Sequence, residues 1–418
     1  MAILDIQTQN PDITWVIKKN IHTQHETNAP FIRPLRKGNA FGWYRDINNF
    51  RILFKDAKGE SSFYKYLNND YLNQSAYNCA YVYCALIGEM LSSAAKQKHE
   101  KDIECLNTIE LSSVLVTLPT VAQFFIKYFS DKINIEMTTI TKKVYNIKFT
   151  GNVSLYYLTN LVQVFCLMQA IEDKNVYVDL TEGALNKYAQ SLRNIHAPYF
   201  IIYLFLSRCV PDYNSFKKVK PLLEQPGWQL NFGNTQKQRF DQIKKFIQNG
   251  DVLQDIGCGE LYYSRHLSNN YKMVNAWDMD SDIQERNARF IEKKSLQNIV
   301  LKGGFTVNDF TNIKEGDDIL ITEMLEHMPK DQAKEILNGL KTTPFRRMIL
   351  TVPNGEFNQF YKLDGQFRHD DHYWEPTYNE TVEFIESVFG KNNPNVEIKP
   401  IGDGVNGIHI STLIIITR

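Results

Sequence analysis

The chain has 418 residues, 43% of them hydrophobic and 22% charged, which is enough apolar material for two or three cores. Lys plus Arg and Asp plus Glu number 47 each, so no global field marks the chain as a nucleic-acid or membrane-surface binder, and any such site has to be local. The six cysteines include no Cys-x-x-Cys pair, which argues against a disulfide framework or a thiolate zinc site. Met1 to Asn20 lacks the apolar core of a secretory signal, and the longest apolar run, near Tyr199 to Leu206, falls well short of the roughly 20 residues a membrane helix needs. A cytoplasmic protein with no membrane contact is expected.

In chain order, the first segment to about Glu60 has short alternating runs, such as Ala40 to Tyr44 and Phe50 to Phe54, separated by turn residues. That pattern predicts antiparallel strands. From Ser75 to about Lys96 the apolar positions Tyr77, Ala80, Tyr81, Cys84, Ile87 and Leu91 recur at helical spacing. A second helix is predicted over Ser112 to Phe129, strands over Ile133 to Met137 and Val144 to Phe149, and helices over Ser154 to Ile171, Thr181 to Leu192 and Ala197 to Cys209. This half reads as an α+β domain, residues 1–215, with no chemical motif of its own.

Pro211 to Asn234, with Pro221, Pro226 and Gly227, is polar and weakly periodic, and its span 216–234 reads as a linker. Residues 235–418 then alternate strand and helix. Helix Gln236 to Gln248 precedes strand Val252 to Asp255, a glycine turn and a helix ending at Leu267. Strand Met273 to Trp277, helix Ser281 to Lys294, strands Ile299 to Lys302 and Asp318 to Thr322, helix Lys330 to Leu340 and strand Arg347 to Val352 follow. Helix Tyr378 to Phe389 and strands Val396 to Pro400 and Ile408 to Thr417 close the chain. Such alternation predicts a parallel, doubly wound α/β sheet with ligands beyond the carboxyl ends of its strands.

The polar motifs fall at those strand ends. Asp255-Ile-Gly257-Cys-Gly259 follows a strand and opens a helix, so its glycines let backbone approach a ligand closely. A dinucleotide site would want a third glycine where Tyr262 stands, and a phosphate loop would want Gly-Lys-Ser/Thr. Two glycines behind an acidic residue fit S-adenosylmethionine better. Asp278, ending the next strand, suits the ribose hydroxyls, and Asp309, after the third, suits the adenine amine. The competing reading is a plain strand–turn–helix.

Glu323-Met-Leu-Glu326-His327 ends the fourth strand, and a helical turn there would put positions i, i+3 and i+4 on one face. Taken alone it reads as a solvated helix start. Phe367-Arg368-His369-Asp370-Asp371-His372 follows the next strand and raises the odds of a shared site. Carboxylates with imidazoles form an oxygen and nitrogen donor set that suits Mg²⁺, Mn²⁺ or Fe²⁺. Arg368 and Lys362 are candidates for phosphate contact, although Lys362 reads better as solvated surface. Phe357, Tyr373 and Trp374 are candidates for base stacking, with core packing an equal alternative.

The series Glu-x-x-Glu-His, Pro-Asn-x-Glu-Phe-Asn (Pro353 to Asn358) and Phe-Arg-x-x-Asp-His resembles the HEN-type small-RNA 3′-terminal ribose 2′-O-methyltransferases, over roughly Asn234 to Arg418. The resemblance implies a Rossmann-like class I methyltransferase domain. It implies metal ligands Glu323, Glu326, His327 and His372, with Mg²⁺ or Mn²⁺ as the ion, and His369 facing substrate or supporting the ligands. It implies an S-adenosylmethionine site lined by Asp255, Gly257, Gly259, Asp278 and Asp309. The first half is more faintly similar to the bacterial RNA-repair branch, through Asn69-Asp70-Tyr71 with the Ser75 helix and through Thr150-Gly151-Asn152. That branch implies an RNA 3′ end as substrate, and a hetero-oligomer with polynucleotide kinase-phosphatase and RNA ligase proteins whose ligation the first half supports. Leu261 stands where the family often has glycine, and the Asp-Arg-Pro of the first half is missing.

The expected chemistry is metal-dependent methyl transfer to the terminal 2′-hydroxyl, with an imidazole of His327, His369 or His372 taking part and His369 or His327 as the base. Two rival readings stand beside it. One is a small-molecule diol O-methyltransferase, and the other a scaffold for repair enzymes with weak methyltransferase activity.

Overall fold

The computed structural model describes residues 2–35, 38–56, 79–171, 173, 176–363 and 365–418. Asn69 to Tyr71 and the start of the Ser75 helix lie outside them. The chain divides into two compact units, Met1–Leu223 and Glu224–Arg418.

The first unit is built on a seven-stranded sheet. Its strands are β1 (Ala2–Thr8), β2 (Phe31–Leu35), β3 (Gly38–Asp46), β4 (Asn49–Asp56), β5 (Cys105–Leu115), β6 (Asn134–Thr141) and β7 (Val144–Val153). The order is β2-β3-β4-β1-β5-β7-β6, antiparallel throughout. Alternation decides its buried face: Leu4, Ile6, Ile52, Phe54, Ile109, Leu111, Ile147 and Phe149 are fully buried. Helices Ala80–Met90, Pro119–Phe129, Leu155–Ile171, Glu182–Asn194 and Tyr199–Cys209 complete the α+β reading.

Two expectations are corrected here. The helix predicted from Ser112 starts only at Pro119, because residues 105–115 are β5. That strand pairs β1 on one side and β7 on the other, and proline at a first helical turn sets the start beyond it. The stretch read as a linker is helical over Tyr213–Leu223, with Pro221 inside, and buries Phe216, Val219 and Leu223.

The second unit holds an eight-stranded sheet. Its strands are β8 (Trp228–Gln229), β9 (Gly250–Ile256), β10 (Tyr271–Trp277), β11 (Ile299–Lys302), β12 (Asp318–Thr322), β13 (Arg347–Pro353), β14 (Val396–Val405) and β15 (Ile408–Thr417). The order is β11-β10-β9-β12-β13-β15-β14-β8. β9 to β13 run parallel, as expected, but β15 enters antiparallel to β13 and makes the sheet mixed. The cause is local. Asn406-Gly407, at φ 52° and 84°, turns β14 straight into β15, and a two-residue hairpin returns the chain antiparallel.

Both faces of the sheet are covered. Ile319, Ile321, Met348, Leu350, Ile414 and Ile416 join one core with residues of helices Lys330–Thr342 and Tyr378–Phe389. Leu320, Ile349, Leu413 and Ile415 join the other with residues of helices Thr235–Ile243 and Tyr262–Leu267. Burial on two faces is why β12 and β13 read as continuous apolar runs. The order reverses between β9 and β12, so the crevice where open α/β sheets bind ligands lies between those two strand ends.

Ile321→Ala should lower the stability of the second unit by about 2–5 kcal/mol, because this central-strand side chain has no exposed surface. The urea midpoint of that unit's transition measures it.

Candidate functional site

At the carboxyl end of β9 the chain turns through Gly257 and Gly259, both in the left-handed region at φ 76° and 49°. Gly257 and Cys258 donate their N–H groups to the Trp277 carbonyl, each at 2.9 Å. Gly259 N–H donates to Asp278 Oδ2 at 2.9 Å, and Asn287 donates to the Gly259 carbonyl at 2.8 Å. The loop is therefore strapped to the end of β10. The Asp278 carboxylate, which also accepts Asp280 N–H, is the acidic group at its rim.

Asp255 lies deeper. It is fully buried, accepts Ser264 Oγ at 2.6 Å, and leaves Oδ1 without a hydrogen bond. Burial pushes its carboxyl up to about 6. Its observed task is to tie strand to following helix. Asp309 has a structural task in its own turn. Both its oxygens serve a short 3₁₀ turn, accepting Thr306 N–H at 2.9 Å and Asn312 Nδ2 at 3.1 Å, so the structure gives it a capping role.

The segment after β12 does not form the helical face expected of it. Glu323 takes a left-handed backbone, φ 47°, and only Leu325–His327 turn, as a 3₁₀ element. A non-glycine residue held there is a local strain. Gly257 is its neighbour: a Cβ at 257 would meet Met324 Cγ at 2.5 Å. The glycine loop and the acidic segment thus touch.

Glu326, His327 and His372 converge, each offering a ligand atom within 4.8 Å of the others. The Glu326 residue is 1% exposed, and neither of its carboxylate oxygens has a hydrogen-bond partner. Burial, and then the neighbouring Glu323 charge, push its carboxyl well above the usual range. Burial lowers the His327 imidazole against the opposing charge of Asp371, whose carboxylate lies 3.0 Å from His327 Nδ1. His372 Nδ1 meets Glu375 Oε1 at 2.5 Å, which leaves Nε2 for a ligand. The His369 ring lies 5.1 Å from that of His372 and is exposed.

Glu323 stands outside this trio. Arg239 donates from Nη1 to Glu323 Oε2 at 3.0 Å and from Nε to the Tyr263 hydroxyl at 3.3 Å, while Glu323 Oε1 is buried without a partner.

Two residues absent from the sequence reading hold the site: Arg239 and Glu375. Glu375 accepts Asn358 Nδ2 at 2.5 Å and Arg368 N–H at 2.7 Å. Burial works to raise its carboxyl, but the bonds from His372, Asn358 and Arg368 outweigh that and hold it low. Arg368 donates to Asn358 Oδ1 at 2.7 Å, to the Ile410 carbonyl at 3.0 Å and to the Asn354 carbonyl. Its guanidinium is thus structural, not a free phosphate contact. Phe357 is fully buried, Trp374 is half-buried, packing on Phe384 while donating to the Met328 carbonyl, and Tyr373, 64% exposed, is the most open of the three proposed stacking rings. Glu375 lies in irregular chain, where no periodicity marks it. Arg239 had no signal either.

The model of the Hen1 N-terminal domain matches residues 3–227, more than half of the chain. The chain belongs to the Hen1 family. A small RNA 2′-O-methyltransferase of Caenorhabditis elegans is 25% identical over 168 residues, covering 35% of this chain and 38% of that protein. The chain spans less than half the length of the curated relatives it matches. One solved chain, from a structure described as the Pnkp1/Rnl/Hen1 RNA repair complex, superposes over 100% of both chains with a TM-score of 0.81 at 24% identity. Another, from a Pnkp1/Rnl/Hen1 complex, does so over 100% of both with a TM-score of 0.77 at 26% identity. Both solved chains share the fold of the whole chain, the eight-stranded α/β sheet of the second unit included.

Two outcomes follow from the geometry. Asp255 has a folded-state pKa raised above its unfolded value near 3.9. It therefore costs the fold nothing below about pH 4, and destabilises it progressively as pH rises to about 6, by on the order of 3 kcal/mol. Chemical denaturation between pH 4 and 6 should show that loss, and Asp255→Asn should remove it. Glu375→Gln should release the His372 ring from its fixed orientation, as read by a shifted and broadened His372 imidazole signal in NMR.

Proposed function

We propose that this chain transfers a methyl group from S-adenosylmethionine to the 2′-hydroxyl of the 3′-terminal ribose of RNA. We place it in a cytoplasmic RNA end-repair assembly with a polynucleotide kinase-phosphatase and an RNA ligase. Membership of the Hen1 family and full-length similarity to chains of Pnkp1/Rnl/Hen1 complexes support that setting. Among the described residues no helix is long and apolar enough to cross a membrane.

The observation that carries the reading is the convergence of Glu326, His327 and His372 around a buried carboxylate with no hydrogen bond, beside a glycine loop. A buried ionised carboxylate without a partner is costly, so the donor set fits a resident cation. Glu326, His327 and His372 would hold it, with Glu323 alongside. Mg²⁺ or Mn²⁺ held there would supply Lewis acidity to a substrate hydroxyl. The loop of Gly257 and Gly259, with Asp278 at its rim and Asp255 behind it, would hold S-adenosylmethionine, which supplies the methyl group as a sulfonium.

The chain's own groups do the rest. Glu375 accepts from His372 Nδ1 and so fixes which ring nitrogen faces the site. His369, exposed beside His372, takes the proton of the 2′-hydroxyl. Requiring two adjacent hydroxyls selects a ribose 3′ end, and the 2′-hydroxyl separates RNA from DNA.

Labelled S-adenosylmethionine with RNA ending in ribose or in 2′-deoxyribose tests this. Label should enter only the ribose-ended strand, and only with Mn²⁺ or Mg²⁺ present. Labelling of the deoxy strand, or of a catechol in preference to RNA, would overturn the substrate. Glu326→Gln should abolish transfer while raising the denaturation midpoint of the metal-free protein at neutral pH, because it removes a carboxyl whose pKa the fold holds above its unfolded value. Full activity in Glu326→Ala or His372→Ala would refute the metal assignment.

A further inference from the structure

The convergence of Glu326, His327 and His372 does not include Glu323. This residue carries a left-handed backbone at φ 47°, stands outside the converged trio, and buries one carboxylate oxygen with no partner. The other oxygen is held by Arg239, whose side chain is 13% exposed and which reaches across from helix Thr235–Ile243. Backbone and side chain are pinned separately. Glu323 N–H donates to the Thr351 carbonyl at 3.0 Å, extending the β12–β13 pairing one residue past the strand, while Arg239 fixes the carboxylate at 3.0 Å. Arg239 is itself fixed, since its Nε donates to the Tyr263 hydroxyl at 3.3 Å. A planar guanidinium bonded at two nitrogens has little rotational freedom left.

The charges around the centre point the same way. Arg239 compensates Glu323, and Arg368, 3.8 Å from Glu375, compensates that carboxylate. Of these three acids, Glu326 is the one left without a positively charged partner, so the carboxylate left for an ion is Glu326.

Resting on the metal reading above, we propose that Arg239 is a positioning residue for the metal centre: it anchors Glu323 through Oε2 and leaves Oε1 as the atom by which Glu323 joins Glu326, His327 and His372. Its action is on the geometry of Glu323.

The test is Mn²⁺ affinity of the full chain, by calorimetry and by the Mn²⁺ electron-spin resonance spectrum, with S-adenosylmethionine affinity measured alongside. Arg239→Met should weaken Mn²⁺ binding about 10- to 100-fold and alter the Mn²⁺ spectrum, with S-adenosylmethionine affinity unchanged. Arg239→Lys, which reaches one partner instead of two, should recover part of the loss. Removing one member of a buried pair can unfold a protein. The double variant Arg239→Met with Glu323→Gln restores neutrality, and it should bind Mn²⁺ as Glu323→Gln alone does, because Arg239 acts through Glu323. Wild-type Mn²⁺ affinity in folded Arg239→Met overturns the proposal, as do losses that add across the two sites. Equal weakening of Mn²⁺ and S-adenosylmethionine also overturns it, since that marks a merely structural arginine. Failure of the unaltered chain to bind Mn²⁺ would instead remove the metal reading itself.

Discussion

A carboxylate placed in the protein interior without a hydrogen-bond donor is the constraint around which the second unit is arranged. Glu326 stands at the end of a fully buried strand, on a 3₁₀ turn that leaves both its oxygens unsatisfied. Ionised, such a group destabilises the fold unless a cation joins it, and without one burial drives it to hold a proton. The surrounding architecture is consistent with keeping that place for one. Two imidazoles face the carboxylate, and the arginines nearby are turned to other acids.

Precision comes from outside the converging residues. His372 is oriented by Glu375, Glu375 by Asn358 and Arg368, and Arg368 by backbone carbonyls of residues 354 and 410. The His372 segment is stitched to the Glu326 segment directly, through Tyr373 N–H to the Glu326 carbonyl at 2.8 Å and Trp374 Nε1 to the Met328 carbonyl at 3.0 Å. Residues of the Pro353–Asn358 and Phe367–His372 motifs that look like substrate contacts in a linear reading are mostly this frame. Hydrogen bonds to charged groups in a low-dielectric interior are strong enough to hold a ring to one orientation.

Much of the second unit was legible in the sequence. Helices Ser281–Lys294 and Tyr378–Phe389 and strands Asp318–Thr322 and Ile408–Thr417 have the expected bounds, because amphipathic periodicity and two-faced burial leave plain patterns. The glycine loop was legible from its place at a strand end, whereas the grouping of Glu326, His327 and His372 came from the resemblance to the HEN-type family, which set Glu323 beside them. The partners were not legible. Arg239 meets Glu323 across 84 positions, and His372 finds Glu375 through a turn that no periodicity announces. Glu323 departs from the i, i+3, i+4 picture because a left-handed backbone, held by Thr351 and Arg239, interrupts the turn. In the first unit β5 was partly read as helix, since Ser112 to Val116 is apolar enough for either and only cross-strand partners decide.

The contact between Gly257 and Met324 has an architectural consequence. No side chain fits at 257 without moving Met324, the residue that joins Glu323 to the turn carrying Glu326. The loop on β9 and the segment on β12 are therefore geared together, tooth against gap, and neither can be exchanged as an independent cassette. A graft of the acidic segment into another doubly wound scaffold has to bring its glycine with it, and a redesign of the loop for a bulkier donor has to begin by reshaping residue 324.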